Sequence, residues 1–164
     1  MNKVTNNLVI ENARIMFRNF QGKESKFNMK GRRNFCVVID DPKQAAQLSS
    51  DGWNVKQLRP RDDYEEPTYY IQVAVNYGWN PPKVYLINRK AKVILTEETI
   101  GMLDQAEIHN VDLTIRPYNW EVNGESGVKG YLRSMYVTLE EDEFAAKYAE
   151  EEYPGEENDD ELPF

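Results

Sequence analysis

The stretch RNFQGKESKFNMKGRRN (18–34) sets six bases, Arg18, Lys23, Lys26, Lys30, Arg32 and Arg33, against one acid, Glu24, with Phe20 and Phe27 interleaved. Bases spaced along a loop track a phosphate backbone and release its counterions, and aromatic rings within reach stack on unpaired bases. The same composition also fits a solvated loop whose two Phe rings dock on the core. A second group follows the spacing of a strand: Arg116, Tyr118 and Trp120 share one face if the alternation persists. Lys129, Tyr131 and Arg133 repeat the mixture further on. Two such faces on neighbouring strands make a stacking platform, although Trp120 and Tyr131 fit equally well as caps over an open end of the core. In NYGWNPPK (76–83), Tyr77 and Trp79 sit on a turn enforced by Gly78, Pro81 and Pro82.

Residues suited to catalysis are few. The adjacent pairs Asp40–Asp41 and Asp62–Asp63 could hold Mg²⁺ for a nuclease, but hydrolytic metal sites need acids converging from separate elements. Asp41 fits better as a helix cap. One histidine, His109, and one cysteine, Cys36, leave no ligand set for structural zinc, and His109 lacks a matched nucleophile. No phosphate-binding glycine loop or dinucleotide fingerprint occurs. We read a binding protein, not an enzyme, with no cofactor and no metal.

The elements that would position these groups are mostly strands. In ARIMF (13–17), Ala13, Ile15 and Phe17 alternate with Arg14 and Met16, the period of a half-buried strand. NFCVVID (34–40) is a β-branched run. DDPKQAAQLSSDGW gives a helix with Asp41 as N-cap, Pro42 at the first position, Gln44 completing a capping box and Gly52 as the stop. YYIQVAVNY (69–77) turns Ile71, Val73 and Val75 to one side, and Trp53 is assigned to the core. KVYLIN and KVILT follow as short strands, and Thr96 with Glu97 and Glu98 opens a short helix. QLRPRDDYEEP reads as a solvent loop. EIHNVDLTIRPYNWEV and GVKGYLRSMYVTL form a hairpin joined by NGESG, its register left open because Pro117 and Gly130 each can mark a bend or bulge. These elements predict a mainly β fold, a five-stranded OB-type barrel with one or two short helices over residues 1–139.

The net charge of −8 divides unevenly. Residues 140–164 hold twelve acids against one base, Lys147, a net of −11, whereas residues 1–139 hold nineteen bases and sixteen acids, a net of +3. A mildly basic body thus carries an acidic tail, expected to be disordered apart from a short helix through Phe144 and Tyr148. No apolar run is long enough to cross a bilayer and no signal peptide is evident, so no membrane partner is expected. A single cysteine fits a reducing cytoplasm.

The strings IENARIMFRNF, NFCVVIDDP, DGWNVK, PPKVYLI and NVDLTIRPYNWEVNGESGVKGYL resemble the single-stranded DNA-binding proteins of tailed bacteriophages and prophages, over most of residues 8–150. The closing DDELPF resembles the tip of bacterial single-stranded DNA-binding proteins, where acids precede an aliphatic residue, Pro and a terminal Phe. The resemblance implies an OB fold and binding of single-stranded DNA without strong sequence preference. It further implies a role in phage replication, recombination or repair, in the cytoplasm of the bacterial host. The tip would dock partner proteins of replication or recombination through Asp159, Asp160, Glu161, Leu162, Pro163 and Phe164, the ring entering an apolar pocket and the carboxylates meeting bases. The body departs from the bacterial proteins, so neither their DNA contacts nor their tetramer carries over; a dimer is compatible with the chain. A protein-interaction barrel with a DNA-mimicking tail is the alternative.

Overall fold

The computed structural model describes residues 3–60, 62–88 and 91–140. The expected acidic tail and its tip fall almost wholly on 141–164, outside the described residues. Among the described residues, nine strands and one α-helix follow in the order β1 (Leu8–Ile10), β2 (Ile15–Asn19), β3 (Arg33–Ile39), α1 (Pro42–Asp51), β4 (Lys56–Leu58), β5 (Thr68–Val75), β6 (Lys83–Ile87), β7 (Lys92–Leu95), β8 (Ile108–Val122) and β9 (Glu125–Leu139). A short 3-10 helix, Ile100–Asp104, separates β7 from β8.

The sheet runs β1-β8-β9-β5-β3-β2. The β5–β9 pair is parallel, and the β3–β5 and β8–β9 pairs are antiparallel. Just before β2, the Ala13 N–H donates to the Val111 carbonyl of β8 at 2.7 Å, so the two ends of the path β8-β9-β5-β3-β2 curl toward each other. The fold is therefore mainly β and OB-like, with a seam bridged by single hydrogen bonds rather than closed by a ladder. Four further short strands join this five-strand path: β1 on β8, β4 on β5, and the β6–β7 hairpin on β9. Two of them, β1 and β4, have only three residues, too short to show a period in sequence.

One core fills the interior. Ile71, Val73 and Val75 point inward as the alternation predicts, against Phe35 and Val37 of β3 and Leu113 and Ile115 of β8. Helix α1 forms where expected: the Asp41 carboxylate accepts from the Lys43 N–H, and Gly52 ends the helix at φ 113°. The Gly52 carbonyl then accepts from the Val128 N–H at 2.9 Å, tying the helix end to β9 and seating the buried Trp53 there. The helix expected from Thr96 begins instead at Ile100, with Thr99 at its N-cap position. The Thr96 N–H donates to Thr99 Oγ1 at 2.8 Å, so Glu97 and Glu98 occupy the turn before it. Cys36 is buried, and burial pushes its thiol up to about 11, which leaves it protonated and inert.

One local feature redirects several side chains. Ile15 and Met16 pair with Val37 and Cys36, but Asn19 pairs with Asn34, so β2 gains an extra residue. Phe17 takes φ 53°, a left-handed conformation rare for a bulky residue, and its ring is 58 % exposed, set edge-on against Tyr70. This corrects the expectation that Phe17 shares the core face of Ala13 and Ile15. Beyond the bulge the inward parity is reversed, and Phe20 enters the core.

Candidate nucleic-acid interface

The loop between β2 and β3 is braced from within. The Asn28 side-chain amide donates to the carbonyls of Lys23, Met29 and Arg32 at 2.8–3.1 Å, and its oxygen accepts from Asn34 Nδ2 at 2.9 Å. Ser25 and Asn28 exchange backbone bonds, and the Gly31 N–H donates to the Gly22 carbonyl. Gly22, at φ 70°, lies so close that a Cβ there would be 3.1 Å from the Gly31 carbonyl carbon. This frame holds Phe27 out in solvent, 91 % exposed, with Lys26 Nζ 5.7 Å from its ring centroid. Ordinary burial would hide such a ring, so the bracing that keeps it out is informative.

The two Phe residues therefore part company. Phe20 is 0 % exposed and stacks on Phe35 with centroids 5.1 Å apart. Its N–H and that of Gln21 donate to the Asp104 carboxylate at 2.6 and 3.1 Å. Phe20 cannot reach a base, which corrects its assignment as a contact. Arg18 is corrected too: its guanidinium donates to the carbonyls of Leu103 and Ala106 at 2.7 and 2.9 Å, fastening the 3-10 helix to β2. Lys23 and Lys30 are exposed on the same loop but do not line the groove described next.

A groove of about 1140 Å³ runs between this loop and the β8–β9 hairpin. Lys26, Phe27, Arg32 and Arg33 line one side, Trp120, Lys129 and Tyr131 the other, and Tyr77 also contributes. Its floor is the outer side of β5 and β9, with Gln72, Ala74, Gly130 and the edge of Trp53. A Cβ on Gly130 would sit 2.9 Å from Ile115 Cγ2 and 3.3 Å from Trp53 Cζ3, so glycine leaves room for these two buried side chains beneath the floor. Glu24 and Glu97 also line the groove.

The outer face of the hairpin is an alternation of cations and rings, of which Trp120, Lys129 and Tyr131 line the groove and Arg116 and Tyr118, like Trp79 beside them, do not. Arg116 and Tyr131 are register partners, as are Tyr118 and Lys129, and Trp120 and Gly127. The Arg116 guanidinium lies 5.1 Å from the Trp79 ring and 5.3 Å from the Tyr131 ring, drawing the exposed turn tryptophan to this face. Tyr118 meets Tyr131 edge-on at 6.0 Å, and Lys129 Nζ lies 5.1 Å from the same ring. Trp120 lies over Gly127, where a Cβ would come within 2.8 Å of Cζ2. Gly127 and the polar floor residue Gln72 escaped the sequence reading, because neither is charged or aromatic.

The hairpin turn is tighter than NGESG suggested. Asn123 (φ 52°) and Gly124 (φ 84°) alone make it, with Val122 paired to Glu125, so residues 125–127 belong to β9. Pro117 and Gly130 pair directly. The register shifts instead between Thr114 and Ile115, whose partners are Ser134 and Leu132; Arg133 is the extra, exposed residue, placed beyond the groove. His109 is likewise the extra residue where Ile108 pairs with Leu139 and Asn110 with Thr138.

Arg33 and Tyr77 close one end of the groove. Arg33 Nη1 lies 3.5 Å from Glu97 Oε2, and its guanidinium is 5.9 Å from the Tyr77 ring. Arg33 Nε and Tyr77 Oη are buried and have no hydrogen-bond partner among the described residues. Burial pushes the Tyr77 phenol up to about 12, against the lowering effect of Arg33, so it stays neutral and able to donate. The aspartate pairs have separate duties: Asp40 meets Arg14 at 3.0 Å, Asp41 caps α1, and Asp62 accepts from the Tyr64 N–H. Among the described residues no cluster of acids, His and Cys is disposed to hold a metal ion, and no helix is long and apolar enough to cross a membrane.

A groove lined by cations and aromatic rings can hold unpaired nucleic acid. The family described as "Putative phage ssDNA-binding domain" matches residues 1–161. The chain belongs to this family. A search of curated protein sequences gives no match. Among solved structures, the single-stranded DNA-binding protein from bacteriophage Enc34 in complex with ssDNA is similar at a TM-score of 0.55 and 13 % identity, covering 87 % of this chain and 95 % of that one. The same protein without that complex gives 0.53 and 12 %, covering 87 % and 89 %. At these identities the likeness is one of fold, and it places this phage ssDNA-binding domain on the same OB-like framework.

Proposed function

We propose that this phage ssDNA-binding domain lays a single strand in the groove between the β2–β3 loop and the β8–β9 hairpin, coating and protecting it during phage DNA replication, recombination or repair. The observation that carries this reading is the Arg116 guanidinium held between Trp79 and Tyr131, with Tyr118 and Lys129 against the same ring. Lys26, Arg32 and Lys129 meet phosphates, and Phe27, Tyr131 and Trp120 stack on bases. Stacking tolerates any base, so binding has little sequence preference. A duplex hides the faces of its bases and gains only the phosphate contacts. Titration with oligo(dT) is expected to quench tryptophan fluorescence through Trp79 and Trp120, and duplex of equal length to quench it far less. Equal quenching by both would remove stacking from the account.

The acidic segment 140–164 has a second part in this proposal. Its net charge of −11 competes weakly for the basic groove and is released when DNA binds, freeing Asp159 to Phe164 to dock a replication or recombination protein of the host cytoplasm or the phage. Deleting 140–164 should tighten oligo(dT) binding severalfold at about 0.01 M salt, where the Debye length is about 30 Å, and the gain should vanish near 1 M, where it is about 3 Å. Unchanged affinity at every ionic strength would rule the competition out.

A further inference from the structure

β8 buries Val111, Leu113 and Ile115, so Asp112, Thr114, Arg116, Tyr118 and Trp120 share its outer face. That face does not stop at the groove. Past Arg116 the register with β9 continues through Thr114–Ser134 to Asp112–Tyr136. On its other edge β9 meets β6, where Lys83 pairs with Ser134 and Tyr85 with Tyr136. Here a second cluster of cation and rings repeats the first. Tyr85 and Tyr136 stack at 5.1 Å, and Lys92 Nζ lies 4.6 Å from one ring centroid and 5.7 Å from the other. Tyr136 nevertheless stays 38 % exposed. Its partner on the β8 side, Asp112, is short and accepts from the Asn12 N–H at 2.8 Å, so among the described residues no second ring covers Tyr136. Between the two clusters lies the bulge that makes Arg133 an extra, exposed residue.

We infer that, given the groove proposed above, this outer face is a second contact for the same single-stranded DNA. The DNA leaves the groove past Arg116 and Trp79 and stacks a base on Tyr136, with Lys83, Arg133 and Lys92 at its phosphates. Two observations select nucleic acid as the occupant. One is continuity: Tyr131, which lines the groove, and Tyr136 stand on one strand and one face, joined by Arg116 and Trp79. They are five positions apart with one residue in the bulge, about 13 Å at ~3.3 Å per residue, a reach of a few nucleotides. The other is charge. Lys83, Arg133 and Lys92 are exposed and form no ion pair with a described residue, and the one acid among these rows, Asp112, is engaged by a backbone N–H. Free cations beside a ring are what a phosphate backbone with unpaired bases uses. None of Lys83, Tyr85, Lys92, Arg133 and Tyr136 lines the groove, so the second contact lengthens the site and leaves the groove itself as it is.

Titration of the full chain with excess oligo(dT) of increasing length, from about 4 to about 16 nucleotides, tests this, because that range spans the site sizes of one OB fold. Excess oligomer keeps one chain on each. Tyr136→Ala should weaken binding of the longest oligomers about fivefold or more and leave the shortest unchanged, and Tyr136→Phe should keep the parent's affinity throughout. Lys92→Gln and Arg133→Gln, both at exposed positions, should each flatten the slope of log K against log salt by about 0.7 for long oligomers alone. Thymine cross-links at Tyr136 are expected only with long oligomers and only beside those in the groove. The unchanged short-oligomer affinity shows that the variants fold. Long-oligomer affinity unmoved in all three variants would overturn the inference, and so would losses equal at every length. The groove reading fails separately, if Tyr131→Ala leaves the shortest oligomers unaffected.

Discussion

Replacing Tyr131 by Ala is expected to weaken oligo(dT) binding roughly 5- to 150-fold, the equivalent of about 1–3 kcal/mol for one lost stacking partner. The ring is the hub of the hairpin wall: Arg116, Tyr118 and Lys129 all lie within 6.0 Å of it. Its removal takes away a stacking surface and also the ring that holds two cations in place. Tyr131→Phe keeps the ring and should keep most of the affinity. The salt dependence separates the two kinds of contact. Tyr131→Ala removes no charge and should leave the slope of log K against log salt unchanged, whereas Lys129→Ala should flatten it by about 0.7, one phosphate contact on a single strand. Filter binding over a salt series measures both. An affinity unmoved by Tyr131→Ala would take the ring off the DNA path.

The second large effect is on stability. Phe20→Ala should cost about 3–5 kcal/mol, the range for emptying an aromatic core position. Phe20 is wholly buried, stacked on Phe35, and its N–H is anchored by Asp104. The measurement is the urea midpoint, with Phe27→Ala as its counterpart. Phe27 is almost fully exposed, so its loss should leave the midpoint nearly unchanged while weakening DNA binding. The two phenylalanines of one loop would thus separate folding from binding. A small stability change for Phe20→Ala would mean that the β2 bulge does not turn this ring inward.

That bulge also marks where the sequence stopped being legible. The period-two pattern of ARIMF places Ala13 and Ile15 on the core correctly, and would continue to Phe17 if the strand were regular. The extra residue, with φ 53° at Phe17, inverts the parity, so Arg18 and Phe20 turn inward and become structural. A bulky residue in a left-handed conformation carries no local signal, because tertiary packing imposes it. Where local chemistry decides, the reading succeeds: Asp41, Pro42 and Gly52 delimit α1. The pattern Arg116, Tyr118, Trp120 survives because β8 stays regular from Ile115 to Val122. The approach of Trp79 to Arg116 lies beyond sequence reasoning, since thirty-seven residues separate them and only the topology brings them together. Gly127 makes room for the Trp120 ring and Gly130 for the buried Ile115 and Trp53, each by lacking a side chain, which leaves nothing in their own chemistry to notice.

In the proposed complex the strand passes between the β2–β3 loop and the β8–β9 hairpin. Ultraviolet cross-linking of oligo(dT) to the full chain, followed by peptide mapping, tests it most directly, because thymine couples to the aromatic rings it touches. Adducts are expected at Phe27, Trp120 and Tyr131, with Trp79 and Tyr118 beside them. Adducts confined to the exposed aromatics elsewhere, Phe17, Tyr64 or Tyr136, would contradict the account.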